Sequence, residues 1–282
     1  MNTIIQIVTK KQEDKKLAII LTFGNFKGGT GKTTNSTMIG YELSNRDKRV
    51  LLLDLDPQGN ATNLYLKTKS AIDNDVVIFD TTLMAAIKNK DLSSAILNIK
   101  DNLDVLPSAT DFSLFPRYME FLSNYEDRVQ YINHLIQPLK DKYDYIIVDI
   151  PPTISLITDS ALYMSDYCII VLQTHERSLQ GAEAFINYIQ NDVIDKFHAP
   201  NLDVLGVLPV LLKNGAPVDI STLENAKEEF GEENIFQTTI RNMERLKRYD
   251  ITGITDEDMH DKRVSQVYIN VTDELLKRIE EQ

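Results

Sequence analysis

The segment Gly24-Asn25-Phe26-Lys27-Gly28-Gly29-Thr30-Gly31-Lys32-Thr33-Thr34 follows an apolar β-rich run, and a helical pattern begins at once after it. Few chain architectures accommodate such a loop. Glycines let backbone N–H groups converge on a phosphate without Cβ clashes. The following helix N-terminus adds its partial positive charge. In this pattern Gly28, Gly29, Thr30, Gly31 and Thr34 line a phosphate cradle. Lys32 reaches the β- and γ-phosphates, and the Thr33 hydroxyl ligates Mg²⁺. The usual pattern wants glycine at position 26, where this chain has Phe26. A second lysine, Lys27, heads the loop instead. The bland alternative is a glycine-rich turn with incidental lysines, and the strand–loop–helix context weighs against it.

The rest of the chain alternates short β-rich runs with longer helical patterns. Strands are expected at 17–23, 50–55, 103–106, 145–150, 167–172 and 204–210. Several are near-continuous apolar runs, as strands buried on both faces of a parallel sheet should be. Helices are expected at 32–45, 128–140, 155–164, 179–196, 220–229 and 272–281. The alternation predicts a doubly wound α/β fold, a mostly parallel sheet with helices on both faces. Residues 1–16 read as an appendage, and 17–282 as one domain.

Two strands end in carboxylates. Asp54 and Asp56 close the run from Val50 to Asn60 and, two apart, project to one side. Asp149 closes Tyr145-Ile146-Ile147-Val148-Asp149-Ile150-Pro151-Pro152. Ligands bind at this C-terminal end in such sheets, and Asp149 stands where a Walker B carboxylate holds Mg²⁺. Any one of these aspartates could be a turn residue. Three of them behind a phosphate loop argue for a nucleotide and metal site.

Taken together, Lys-Gly-Gly-Thr-Gly-Lys-Thr-Thr, Asp-Leu-Asp-Pro-Gln-Gly-Asn-Ala-Thr and Val-Asp-Ile-Pro-Pro resemble the deviant Walker A ATPases, and within them the ParA-type DNA-partition ATPases. The likeness is to the short plasmid or chromosomal type, since no DNA-reading domain precedes the loop. It implies a P-loop ATPase with ATP and Mg²⁺, in which ATP drives two subunits face to face. By resemblance Lys27 reaches into the partner subunit's site, Lys32 and Thr33 hold nucleotide and Mg²⁺, and Asp54 and Asp149 stand behind the metal. Asp56 orients the attacking water, and the Gln58–Thr62 segment senses the γ-phosphate. The implied partners are a second copy, non-specific double-stranded DNA, and a centromere-binding adaptor of ParB-like or ribbon-helix-helix type. The implied location is the cytoplasm, on the nucleoid. Relatives often carry Ile-Pro-Arg-Asn near the adenine, whereas Thr239-Ile240-Arg241-Asn242 lacks that proline, so no adenine contact carries over.

Charge limits the DNA reading. The 282-residue chain has a formal net charge of −12, so DNA contact requires a local patch acting against the global field. Arg241, Arg245 and Arg248, with Lys247 beside them, would form one basic stripe if 240–250 were helical. A solvated helix face is the alternative. One cysteine, Cys168, excludes an internal disulfide, a four-thiolate zinc site and a cluster held by one chain. Intracellular residence fits this. The four histidines show no metal-ligand spacing. A MinD-like membrane-cycling ATPase is the competing function, and a small-molecule ligase on the same scaffold a third. The acidic segment 272–282 argues against membrane association, because a membrane-surface helix should be basic on its polar face.

Overall fold

The computed structural model describes residues 17–213 and 216–282. The expected appendage, 1–16, lies outside them. The elements are β1 (Ile19–Gly24), α1 (Lys32–Asn45), β2 (Val50–Asp54), α2 (Asn60–Asp73), α3 (Leu83–Lys88), β3 (Leu97–Lys100), β4 (Leu103–Leu106), α4 (Phe115–Tyr118), α5 (Tyr125–Ile136), β5 (Tyr145–Asp149), α6 (Leu156–Met164), β6 (Tyr167–Gln173), α7 (Glu176–Tyr188), β7 (Asp203–Leu212), α8 (Pro217–Phe230), β8 (Ile240–Arg241), α9 (Glu244–Thr252) and α10 (Met259–Glu280).

The strands form one sheet in the order β3-β4-β2-β5-β1-β6-β7-β8. All pairings are parallel except β3 with β4. Neighbouring side chains alternate between the faces. Ile20, Leu51, Leu53, Ile146, Val148 and Ile170 join a core under α3 to α7. Leu21, Phe23, Leu52, Ile147, Ile169 and Val171 join a second core, shared with Ile39, Tyr65, Tyr249 and Tyr268 from α1, α2, α9 and α10. Burial on both faces explains the continuous apolar runs of the central strands.

β1 lies between β5 and β6. The chain leaves β1 toward β2 on one side and later leaves β5 toward β6 on the other. The strand order therefore reverses beside β1, where this class of sheet opens a ligand crevice at the carboxyl ends. Asp54 of β2 and Asp149 of β5 stand in register at that end.

Gly24 closes β1 against α7. A Cβ there would lie 2.0 Å from the Phe185 ring, and Phe185 is buried in the core. Gly24→Ala should therefore lower stability by about 1–3 kcal/mol, the usual cost of overpacking. Calorimetric melting of the variant checks this, and a melting temperature at or above the wild-type value would contradict the packing.

Candidate functional site

The phosphate loop runs from β1 into α1 and is fastened from below. Asn25, 1% exposed, donates its amide to the carbonyls of Val171 (2.9 Å) and Ser178 (3.1 Å). Its Oδ1 accepts from the Lys27 backbone N–H at 2.7 Å. The departure at position 26 has a packing role. Phe26 makes edge contacts with Phe185 (4.8 Å between ring centres) and Tyr188 (5.5 Å) on α7. A flexible glycine is thus replaced by an aromatic anchor. Gly29 and Gly31 have φ of 74° and 89°, the left-handed region that other residues enter at a cost.

The two lysines differ. Lys32 is 6% exposed, and its ammonium donates to the carbonyls of Asn25 (3.1 Å) and Lys27 (3.3 Å). Burial pulls its pKa down to about 8, partly offset by Asp149 and Asp56. The Lys27 ammonium donates to the Gly28 carbonyl at 3.3 Å from an exposed position. A cleft of about 420 Å³ is lined by Gly29, Thr30, Gly31, Lys32, Thr33 and Thr34, and brings Asp56 and Asn60 to the same space. Ile150, Pro152 and Leu211 complete its wall. Leu211 has φ of 60° at the irregularity where β7 meets β8, a strained conformation of the kind that clusters at functional sites.

The carboxylates separate by environment. Asp149 is fully buried and accepts from the hydroxyls of Thr33 (2.8 Å) and Ser36 (3.1 Å). Burial pushes its pKa up strongly, and the charge of neighbouring Asp54 adds to this. Asp54 is also fully buried and raised by burial. It faces the turn rather than Thr33, accepting from the Thr62 N–H and hydroxyl and from the Asp56 N–H. Asp56 lies just past the strand, and its Oδ1 accepts from Gln58 N–H at 2.9 Å. No group of three or more His, Cys, Asp or Glu suited to holding a metal occurs among the described residues. Thr33 and Asp149 are hard oxygen donors, and two adjacent buried carboxylates gain from a nearby cation. That donor set fits Mg²⁺, held by few protein ligands together with substrate phosphates.

The basic stripe does not form. Arg241 closes β8, pairing with β7, and α9 starts only at Glu244. Arg245 turns inward. It is 11% exposed, is ion-paired with Asp258, and lies 3.2 Å from Asp261. Asp261 is 1% exposed, so its charge needs a cation, and Arg245 supplies it. Lys247 pairs with Glu244 at 2.8 Å. Arg248 is exposed. The sequence reading did not single out the tether Asn25, the second hydroxyl Ser36, or the wall residues Ile150 and Leu211. Asn25 and Ser36 flank the loop residues, but nothing in their spacing marks them.

Lys32 should make nucleotide affinity pH-dependent. Phosphate oxygens favour the protonated ammonium and so raise its pKa above about 8. Affinity for ATP without Mg²⁺ should be full below pH 8 and fall as pH rises through it, by up to about tenfold per unit. Lys32→Ala should abolish tight binding and this pH dependence together. Calorimetric titration with metal-free ATP between pH 7 and 9.5 checks both, because with Mg²⁺ the raised acid Asp149 would titrate in the opposite sense.

The comparisons agree with this geometry. A family model described as an AAA domain matches residues 18–204. The chain is 31% identical over 230 residues to the sporulation initiation inhibitor protein Soj of Bacillus subtilis, covering 80% of this chain and 85% of that protein. It is 30% identical over 264 residues to the chromosome partitioning protein ParA of Myxococcus xanthus, covering 92% and 88%. Among solved structures, a single-substitution variant of Cyanothece McdA in complex with ATP superposes with a TM-score of 0.78 at 21% identity, covering 92% of this chain and 97% of that one. Cobyrinic acid a,c-diamide synthase of Mycobacterium smegmatis, with an ATP analogue and magnesium, gives 0.74 at 22%, covering 93% and 95%. At these identities the two structures speak for the fold. The family match and the two relatives speak for more: the chain belongs to the AAA-domain family as a P-loop ATPase of the ParA/MinD type.

Proposed function

We propose that the protein is an ATP-driven dimerisation switch for partitioning a plasmid or chromosome. The observation that carries this reading is the pairing of two lysines in one loop. Lys32 lies inside the phosphate cradle, while the Lys27 ammonium is held outside it. Lys32 already serves the phosphates of its own subunit. On this reading Lys27 meets the triphosphate of a second copy facing the cleft, as an arginine finger does in trans.

Each residue then has a defined task. The loop N–H groups and Lys32 bind the β- and γ-phosphates. Thr33 and Asp149, with Asp54 behind them, would hold Mg²⁺, which when bound offsets phosphate charge. Asp56 lines the cleft next to the loop and orients the attacking water. Positioning chemistry of this kind is slow until a partner completes it. A centromere-binding adaptor, ParB-like or ribbon-helix-helix, supplies that stimulus in the cell, and the ATP dimer rides the nucleoid in the cytoplasm. The relative named a chromosome partitioning protein supports this reading. The membrane-cycling alternative gains no support from α10. Val264, Tyr268, Val271 and Leu275 of its apolar face are at most 1% exposed, so the face is spent on the core. No described helix is long and apolar enough to cross a membrane.

Asp56→Ala should bind ATP, hydrolyse it poorly and persist as a dimer. Lys27→Ala should bind ATP yet stay monomeric. Light scattering with ATP, beside phosphate release, reads both. Wild-type turnover in the first variant, or normal dimerisation in the second, would overturn the assignments.

DNA binding then rests on the exposed Lys247 and Arg248 with Arg241, doubled in the dimer. Binding should be ATP-dependent, indifferent to sequence and steeply weakened by salt. Replacing Lys247 and Arg248 with Glu should remove it and leave dimerisation intact. Arg245→Ala should instead lower the melting temperature, because Asp261 loses its cation. Mobility shifts with random duplex at two salt concentrations, plus melting curves, separate these roles. Unchanged DNA affinity in the double variant refutes the patch.

A further inference from the structure

The turn that carries Asp56 is anchored by one side chain outside the P-loop. Thr62, 1% exposed, sits in the first turn of α2. Its N–H and hydroxyl both donate to Asp54 Oδ2, at 2.9 and 2.7 Å. The other oxygen of Asp54 accepts from the Asp56 N–H at 3.1 Å. Asp54 is thus a buried bridge with Thr62 at one end and the backbone of Asp56 at the other.

The same hydroxyl does a second job. Its oxygen accepts from the Ser108 N–H at 2.9 Å. A hydroxyl has one proton to give and lone pairs to receive, so both bonds coexist. Ser108 follows β4, the strand beside β2. Gly59, at φ of 64°, is pressed so close that a Cβ would lie 3.1 Å from the Ser108 carbonyl oxygen. The turn from Asp56 to Thr62 is therefore fixed to two neighbouring strands: the Thr62 hydroxyl takes part in both ties, and the Thr62 N–H shares the one to Asp54.

We propose that Thr62 is a positioning residue for hydrolysis, acting through Asp54 to hold the Asp56 carboxylate where it orients water. The proposal rests on the reading of Asp56 given above. Geometry decides the rate here, since small misplacements of an orienting group are costly.

The test is single-turnover hydrolysis and calorimetric ATP binding on the full chain. Thr62→Val keeps the shape and removes the hydroxyl. Its hydrolysis should slow roughly tenfold to a hundredfold, the scale of one hydrogen bond to a charged group, and by clearly more than any accompanying loss of ATP affinity, because the phosphate cradle itself is untouched. Thr62→Ser, which keeps the hydroxyl, should recover most of the rate. Thr62→Val combined with Asp56→Ala should be no slower than Asp56→Ala alone, because Thr62 acts through Asp56. Should Thr62→Val fail to fold, Thr62→Ala carries the same comparison without a new methyl facing Asp54. A normal rate in Thr62→Val or Thr62→Ala beside a slow Asp56→Ala would overturn the Thr62 proposal alone. So would a serine variant as slow as valine, or a double variant slower than Asp56→Ala. A wild-type rate in Asp56→Ala would instead overturn the water-orienting role, and the Thr62 proposal with it.

Discussion

Two carboxylates buried side by side at the carboxyl end of a parallel sheet govern this molecule. Asp54 and Asp149 are held in register on β2 and β5, and burial works against the ionisation of both. Facing them, Lys32 is buried as well, and its charge is disfavoured for the same reason. The free site therefore holds acids whose pKa values are raised and a base whose pKa is lowered. Phosphate oxygens favour the lysine's charged form, and a divalent cation favours that of the acids. Mg·ATP would thus offset the burial that disfavours these charges, while hydrogen bonds already hold the three side chains in place. This is the electrostatic basis on which the proposed switch would respond to a triphosphate.

The strain is contained because the loop has a rigid floor. Asn25 is bonded to β6 and α7, and Phe26 packs on Phe185 and Tyr188. Tyr188 in turn donates to Asp159, a carboxylate 2% exposed that also accepts from Tyr125 at 2.5 Å. The phosphate loop is consequently continuous with a packed unit made of α5, α6 and α7. Gly181 belongs to the same contact, since a Cβ there would sit 2.6 Å from Asn25 Oδ1. Movement of α7 cannot leave the loop undisturbed.

Much of this was legible in the sequence. The limits of α1 and β4 match the expected 32–45 and 103–106. The other buried strands fall within two residues, because burial on both faces writes an unbroken apolar run. The elements not anticipated lack that signature. β3 is an antiparallel edge strand with an exposed Asn98, and β8 is two residues long. α2 begins after Gly59 without a side-chain cap. α10 starts at Met259, well before the expected 272. Its capping box uses Asp258 and Asp261 rather than Glu or Gln, and the β-branched Val264, Val267, Ile269 and Val271 mask the helical pattern. Lys32, Thr33 and Asp56 line one cleft and Asp149 accepts from Thr33, because loop chemistry and strand ends are local. The arginine stripe failed because its fate depended on Asp258 and Asp261, contacts that spacing along 240–250 cannot reveal.

That failure changes how the protein can meet DNA. A chain of net charge −12 approaches a duplex against its own field. Drawing Arg245 inward removes one cation from the surface and spends it on fold. What remains on α9 is Lys247, already beside Glu244, and Arg248. One such patch neutralises few phosphates, and affinity scales with the number neutralised. On the proposed function a single copy would be a poor DNA binder, and weak contacts would become useful only when two copies are joined. The few cations on α9 would then make dimerisation the step that controls DNA contact. Under the same proposal, dimerisation would depend on a triphosphate in the cleft and on Lys27. The same acidic balance that looks unsuited to DNA is what would let hydrolysis release it.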